Sequence, residues 1–257
     1  MYDADRAAVQ TWWGAISRAL LAQGLVDIPL SLDWPSDLDA HWRDPRLLLS
    51  QTCGYPLMTR LLDDVQVVGA FQYTAPGCSG IHYRSELVAR VDDATTIEGF
   101  RGRTAVVNAL DSHSGCNALR GLVAPLALDG RFFGDWWVSG SHRKSLAAVR
   151  SGRADVAAID CVSLAGFRRH EPDSLTGLRV IASTAPAPGL PLITAASTPP
   201  HDLQSLRGAL SAVCLAPALA EVREALFIGG FEVWPASSWQ VIEDVRRVAD
   251  RALQKSN

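Results

Sequence analysis

The stretch Arg103–Cys161 constrains the fold most, because it repeats one order of segments: a short apolar run, a loop of small polar residues and a helical pattern. Alternation of strand-like and helical segments of this kind predicts an α/β fold. In open α/β sheets, ligands bind beyond the carboxyl ends of the strands. Three predicted strand ends here carry polar segments, which are Ser112–Asn117, Ser139–His142 and Asp160.

Small hydroxyl residues at the start of a helix suit an oxyanion. The first turn of a helix presents N–H groups and a partial positive charge. Ser112, Ser114 and Ser141 would add hydroxyl donors there, and His142 and Asp160 lie in the same loops. Any one of these serines is better explained as an ordinary helix N-cap, and His142 equally well as a capping residue. The two loops taken together with His142 and Asp160 favour an oxyanion site.

Composition sets broad limits on the function. A chain of 257 residues can bury a sizeable core as one large domain or two lobes. The net charge of −3 gives no reason to expect nucleic acid as a partner. The five cysteines form no CxxC pair, and Cys78 and His82 have no second ligand pair beside them, so neither a metal site nor a cofactor is expected. Reduced, buried thiols favour a reducing compartment.

The amino terminus shows no secretory signal, because Met1 is followed by Asp3 and Asp5 instead of basic and then apolar residues. No apolar run is long enough to span a membrane, so we expect no membrane insertion. As the sequence stands, these features predict a cytoplasmic location. Removal of a leader would make the location periplasmic.

Two helices frame the chain. Asp5–Gly24 has apolar residues at helical spacing from Val9 to Leu21. Between it and the central stretch, the runs 46–50 and 65–73 are strand-like. Near the carboxyl terminus, 237–253 is predicted as a helix whose inward-facing residues are Val241, Val245, Val248 and Leu253.

Several motifs occur along nearly the whole chain in an order that resembles a known family. They are Gln51–Pro56, Gly77–Gly80 with Tyr83–Ser85, Asn108 through Ser114–Gly115, Ser139–His142 with Ser145 and Val149, Asp155–Val162 and Pro188–Pro191. Together they look like the phosphate/phosphonate-type substrate-binding proteins of ABC transporters. These proteins have the type 2 periplasmic-binding-protein fold.

The resemblance implies two α/β lobes with a ligand cleft between them. Lobe I would comprise residues 1–91 plus 184–257, and lobe II residues 92–183, with crossings near 86–91 and 181–190. It further implies a solute-binding protein, not an enzyme, that closes on a small phosphorus oxyanion such as phosphate, phosphite or a phosphonate. Its partners would be that small anion and an ABC transporter permease.

Site residues are carried over from the resemblance one by one. The family's ligand loop matches Ser112, His113 and Ser114, with Ser141 and its cleft histidine at His142, its strand-end acid at Asp160, an aromatic contact at Tyr55 and a weaker match at Tyr83. His113 is alternatively a solvent-facing residue. A carboxylate near a fully ionised anion costs energy, so Asp160 favours a monoprotonated oxyanion or an amino-phosphonate-like zwitterion.

Other functions remain open at this point. A hydrolase built on Ser141, His142 and Asp160 is disfavoured, because adjacent side chains do not readily face each other and no GxSxG motif occurs. A cytosolic enzyme on the same fold, acting on a small organic anion such as a cofactor precursor, is an alternative. A ligand sensor that acts through a partner protein is another.

Overall fold

The computed structural model describes Tyr2 and residues 5–253. The chain divides into two compact units, the first formed by the chain up to His82 with Pro188–Ser238, the second by Tyr83–Ala187 with the chain from Trp239 onward. The predicted lobes, 1–91 plus 184–257 and 92–183, follow a similar division with different bounds. The chain enters the second unit at Tyr83, earlier than expected, and the terminal helix belongs to the second unit instead of the first.

The α-helices, in chain order, are α1 (Arg6–Ala22), α2 (Leu38–Trp42), α3 (Gly54–Pro56), α4 (Ala118–Val123), α5 (His142–Arg150), α6 (Cys161–His170), α7 (Pro200–Leu215), α8 (Ala220–Ala225) and α9 (Gln240–Ala252). The strands are β1 (Ser50–Gln51), β2 (Val65–Tyr73), β3 (His82–Tyr83), β4 (Ser85–Arg90), β5 (Thr104–Val107), β6 (Asp135–Val138), β7 (Val156–Asp160), β8 (Leu178–Ser183), β9 (Ala187–Pro188), β10 (Pro191–Ala195) and β11 (Ile228–Glu232). Two π-helical turns follow α3 and precede α4, at Leu57–Leu61 and His113–Asn117. The mixed α/β class predicted from the sequence is confirmed.

Helix α1 forms as its sequence pattern predicts. The Asp5 carboxylate caps it by accepting the Ala8 N–H at 2.9 Å, and it ends before Gly24, whose φ of +88° suits glycine. Its buried face includes Trp12 and Leu20, each fully buried. Leu21, at the end of the apolar pattern, is half exposed, because the last turn lies at the edge of that buried face.

The first unit contains a four-stranded sheet in the order β1-β10-β2-β11, and each neighbouring pair is antiparallel. Strand β2 has the predicted bounds. The strand predicted at 46–50 is shorter, since only Ser50 and Gln51 join the ladder, opposite Ile193 and Leu192. The segment before them stays irregular although Leu47 is buried.

Helix α7 covers part of this sheet and packs against α1. Leu206 and Leu210 are fully buried on its inner face, as expected for an amphipathic helix on a sheet. No single helix in the described part of the chain is long and apolar enough to cross a membrane. Only as a pair, bent by 77°, do α7 and the segment Pro217–Ala225 meet that criterion.

The second unit contains a five-stranded sheet in the order β6-β5-β7-β4-β8. Strand β5 runs parallel to both β6 and β7, whereas β4 is antiparallel to β7 and β8. All five residues of β7 are buried, as is typical of a strand covered on both faces. The carboxyl ends of β5, β6 and β7 therefore lie at one edge of the sheet.

The terminal helix α9 packs against α4 of the second unit. Ile242 and Ala249 are its buried residues, whereas Val241 and Val248 are exposed by 42% and 56%. The prediction that Val241 and Val248 face inward is therefore wrong. The prediction is confirmed for Val245, whose Cγ1 lies against Gly121 of α4, and for Leu253, which packs against the core of the second unit.

Candidate functional site

The three polar segments singled out in the sequence follow the three parallel strands of the second unit. Asn108 follows β5, Ser139 follows β6 and Asp160 ends β7. Backbone hydrogen bonds join the first two segments, because the Ser139 N–H donates to the Val107 carbonyl at 2.8 Å and the Gly140 N–H to the Asn108 carbonyl at 3.0 Å. The topology therefore brings the predicted loops together at one sheet edge.

Each of these segments caps a helix. Ser112 Oγ accepts the Gly115 N–H at 3.1 Å, Ser141 Oγ accepts the Lys144 N–H at 3.2 Å, and Asp160 Oδ1 accepts the Ser163 N–H at 2.8 Å. The N-cap interpretation of Ser112 and Ser141 is confirmed. Three helical segments thus begin at this edge, and their first-turn N–H groups give it a partial positive character.

One chain of polar side chains links the three segments. Ser114 Oγ lies 3.5 Å from Ser112 Oγ and 3.1 Å from His142 Nε2. The same Nε2 lies 3.2 Å from Asp160 Oδ2. Unlike Ser112 and Ser141, Ser114 is not a helix cap. We call Ser112, Ser114, His142 and Asp160 the polar chain.

The pKa of His142 reflects its burial and its neighbours. Burial lowers the pKa of His142, and the negative charge of Asp160 and the backbone carbonyl of Ala158 oppose this effect. The imidazole therefore has two acceptors near it, a carboxylate and a carbonyl. Ser114 Oγ is the hydroxyl that contacts the ring, at Nε2.

His113 does not face solvent, because only 3% of the residue is exposed. Its Nδ1 lies 3.1 Å from Asn117 Nδ2, which also donates to the Ile242 carbonyl at 2.9 Å. The Tyr83 ring packs on it with a centroid distance of 6.3 Å. Burial lowers the pKa of His113 to about 4, so the ring is neutral at pH 7. Since the Asn117 amide donates to Nδ1 of His113, the proton of the neutral His113 ring lies on Nε2.

The arginine at the start of α5, Arg143, does not give this edge an uncompensated positive charge. Arg143, the residue after His142, forms a two-point ion pair with Glu171, with contacts of 2.9 Å and 2.6 Å. The guanidinium holds the pKa of Glu171 below its usual range. The charge of Arg143 is thus neutralised by Glu171. No group of histidine, cysteine and acidic residues in the described part could hold a metal ion.

The predicted site residues fall in both units. The second unit holds the polar chain together with Ser141, His113 and Tyr83, whereas Tyr55 lies in α3 of the first unit and is partly exposed. Tyr83 is 3% exposed and lies in the interior. A ligand contact for each of these residues remains a prediction.

Two residues fix this geometry although the sequence alone did not indicate this role for them. They are Asn108 and Gly115. A Cβ atom on Gly115 would lie 2.7 Å from Asn108 Cγ and 3.1 Å from His142 Cε1. Glycine at 115 is therefore needed so that Asn108 and His142 can approach the helical turn. A polar residue at the end of an apolar strand, as at Asn108, was the available sequence signal.

Comparison with known proteins agrees with this fold. A family profile described as "ABC transporter, phosphonate, periplasmic substrate-binding protein" matches residues 35–239. The match spans most of the chain, so the protein belongs to this family of periplasmic substrate-binding proteins. The family is a transporter component and not an enzyme, as the resemblance implied. No curated protein matches the sequence.

Solved structures share the fold at low sequence identity. The binding-protein component of an ABC phosphonate transporter from Pseudomonas aeruginosa (PA3383) has 17% identity and a TM-score of 0.75, covering 95% of this chain and 82% of its own. PhnD1 from Prochlorococcus marinus, solved with methylphosphonate, has 14% identity and a TM-score of 0.75, covering 95% and 93%. XAC2383 from Xanthomonas citri, solved with ATP, has 16% identity and a TM-score of 0.69, covering 96% and 92%. The type 2 periplasmic-binding-protein fold is thereby confirmed.

Proposed function

We propose that this protein is the solute-binding component of an ABC importer and binds a small phosphorus oxyanion, such as phosphate, phosphite or a phosphonate. The observation that carries the proposal is the polar chain at an edge where three helical segments begin. N–H groups at helix starts and the Ser114 hydroxyl are suitable donors for a tetrahedral anion. The methylphosphonate bound by PhnD1 supports the same ligand class.

The charge of Asp160 limits which anion can bind near it. Asp160 is 3% exposed, its Oδ1 already accepts the Ser163 N–H, and its Oδ2 lies 3.2 Å from His142 Nε2. A fully ionised dianion placed beside this carboxylate would be repelled. A ligand that keeps a P–O–H proton, or that carries an ammonium group, would not be. We therefore propose a monoprotonated oxyanion or an amino-phosphonate-like zwitterion.

A thermal-shift series tests the ligand class. We expect one phosphorus oxyanion among phosphate, phosphite, methylphosphonate and 2-aminoethylphosphonate to raise the melting temperature, and sulfate and a thiamine precursor to leave it unchanged. At a hundred times its dissociation constant, a ligand adds about 2.7 kcal/mol, or roughly 5–10 °C in a chain of this size. A shift only with the thiamine precursor would contradict the proposal.

Replacement of Asp160 by asparagine tests the charge argument. Asparagine keeps a side-chain oxygen for the helix cap but removes the negative charge. We expect the ratio of the affinities for the protonated oxyanion and for sulfate to fall by about tenfold. This is the effect of losing one charge-assisted hydrogen bond between the ligand and the carboxylate. Isothermal titration calorimetry with both anions measures it.

The matched control is Asp173→Asn, which removes an equal charge from an exposed position of the same unit. This variant should keep the selectivity of the unaltered protein. Unchanged selectivity in Asp160→Asn would mean that this carboxylate does not act on the ligand.

The partner, location and closing motion follow from the family as proposals. An ABC permease would receive the ligand, and the compartment would be the periplasm, in keeping with the family description. Closure of the two lobes on the ligand remains a prediction, which compaction in small-angle scattering at saturating ligand would test. The comparisons lend no support to the alternatives of a cytosolic enzyme or a ligand sensor.

A further inference from the structure

The first unit contains a groove that the proposed function does not use. Its volume is about 510 Å³. One wall comes from the loop that joins α1 to α2, between residues 29 and 35, and a second wall is the segment 46–51, which ends in β1. Trp13 and Ile16 of α1 also line it. We call this feature the edge groove, because β1 is the outermost strand of its sheet.

The main chain of β1 has hydrogen-bonding groups on the side that faces away from its sheet. Among the described strands, β1 has one neighbour, β10. The Thr52 N–H donates to the Pro191 carbonyl of β10 at 3.1 Å, and Ser50 also pairs with β10. Because successive N–H groups of a strand point to opposite sides, those of Leu49 and Gln51 point away from β10. This side of β1 therefore offers main-chain groups to a further strand.

The residues along this edge do not protect it. Native proteins usually protect a sheet edge with charged side chains or proline. Leu47, Leu48 and Leu49 precede Ser50 with no charge and no proline among them. Strand β1 is short, but these leucines continue its edge along the groove wall, and Leu48 and Leu49 are partly exposed. An unprotected apolar edge of this kind pairs readily with another strand.

The wall from the α1–α2 loop also has the sequence of a strand. Its apolar residues alternate with others, at Val26, Ile28, Leu30, Leu32 and Trp34. Period-two alternation is typical of strands, yet no residue from 25 to 37 belongs to one. Instead, the side-chain amide of Gln10 donates to the Leu30 carbonyl at 3.3 Å and accepts the Leu32 N–H at 3.4 Å. A side chain thus makes the two-point contact that a neighbouring strand would make.

The charges along the groove favour an uncharged occupant. Arg6 and Arg46 line it together with Asp33 and Asp44, so the formal charges balance. A charged segment would lose its hydration there without gaining a counter-charge. Neither end of this chain matches, since residues 1–5 contain two aspartates and residues 254–257 contain a lysine. A second copy does not match either, because the five-residue apolar strands β7 and β10 are buried in their own sheets.

We propose that the edge groove binds a short, uncharged apolar segment of another polypeptide, which adds to the sheet as a strand beside β1. The main chain of the segment pairs with Leu49 and Gln51, and its side chains fill the apolar space of the groove. About five residues suffice, because they match the wall 47–51 in length. The groove lies in the first unit and the polar chain in the second, so this site is separate from the oxyanion site.

The test is a fluorescence-anisotropy titration of the full chain with a fluorescein-labelled peptide whose core is Val-Ile-Ala-Val-Leu between Gly-Ser ends. We expect saturable binding, and binding about tenfold weaker when the core is Val-Asp-Ala-Asp-Leu. Two further peptides carry N-methyl groups on the odd or on the even core residues. At least one of them should bind about tenfold more weakly, since each lacks the N–H groups of one strand edge. Binding of both as tightly as the unmodified peptide would overturn the proposal, as would the absence of saturable binding.

Variants locate the site. Leu48→Glu places a carboxylate on the groove wall and should weaken binding of the apolar peptide by about tenfold or more. The matched control Leu62→Glu changes a half-exposed leucine of the same unit that does not line the groove, and it should bind as the unaltered protein does. Ser114→Ala should also leave peptide binding unchanged, so the failure of this site and of the oxyanion site can be told apart. Equal affinity in Leu48→Glu and Leu62→Glu would overturn the proposal.

Hydrogen exchange on the unaltered protein covers the case in which a variant does not fold. In a ¹⁵N-labelled sample, saturating peptide should slow exchange of the Leu49 and Gln51 amides by about tenfold or more. The Val138 amide is the control, since it lies in β6, the outermost strand of the other sheet, and should exchange at an unchanged rate. Slow exchange of Leu49 without peptide would overturn the proposal, because the occupant would then be this chain itself or, if the protection grows with protein concentration, a second copy.

Discussion

Gly115→Ala should weaken binding of the phosphorus oxyanion by about tenfold or more and lower the free energy of unfolding by about 1–3 kcal/mol. An alanine Cβ would lie 2.7 Å from Asn108 Cγ and 3.1 Å from His142 Cε1. Asn108 has a short side chain whose Oδ1 is buried, so it cannot simply swing into solvent. The added methyl group must displace it or the imidazole that contacts Ser114. Urea unfolding and calorimetric titration measure the two effects.

Two further variants make this result specific. Gly14→Ala places the same methyl group in α1, where the nearest atom is Arg18 Nη1 at 3.6 Å. Because alanine is favoured over glycine inside a helix by about 1 kcal/mol, this variant should be slightly stabilised. The double variant Gly115→Ala with Asn108→Ala removes the crowded amide and should recover part of the lost stability. Unchanged binding in Gly115→Ala would show that the polar chain tolerates displacement or is not the ligand site.

The alternation of segments in the sequence was sufficient to predict that polar loops meet at one sheet edge. Parallel strands place their carboxyl ends on the same side, and β5, β6 and β7 are parallel. The sequence did not show which serine is a helix cap and which is free for another role. That distinction depends on the π-helical turn His113–Asn117, whose wider backbone places Ser114 beside His142. No sequence pattern used here predicts such a turn.

Burial was harder to predict than secondary structure. The bounds of β2 and the existence of α9 follow from local periodicity, which depends on neighbouring residues alone. Which residues of α9 are buried depends on its partner α4, which is far away in sequence, so Val241 and Val248 were wrongly predicted to face inward. The burial of His113 likewise depends on Tyr83 and on α9. Long-range packing therefore explains the main differences between the predicted and the observed burial.

The burial of His113 leads to a second large effect, on the pH dependence of stability. The pKa of His113 is lowered to about 4 in the folded protein, against about 6.5 in an unfolded chain. Between these values the unfolded state binds a proton that the folded state does not. Stability should therefore fall as the pH decreases from 6.5 to 4, by about 3 kcal/mol in total from this residue. Urea unfolding at pH 7, 5.5 and 4.5 measures this loss.

Variants isolate the contribution of His113 from that of other groups that titrate in the same range. His113→Asn does not titrate there and keeps an oxygen near the position of Nδ1, so Asn117 retains its acceptor. This variant should be less stable at pH 7, because it leaves space in the core, yet it should lose about 3 kcal/mol less between pH 7 and pH 4. His201→Asn is the control, since the His201 side chain is 82% exposed and its removal should leave the pH dependence nearly unchanged. Equal pH dependence in His113→Asn and the unaltered protein would mean that His113 takes up its proton in the folded state, and the neutral Nε2–H form assigned to it would be incorrect.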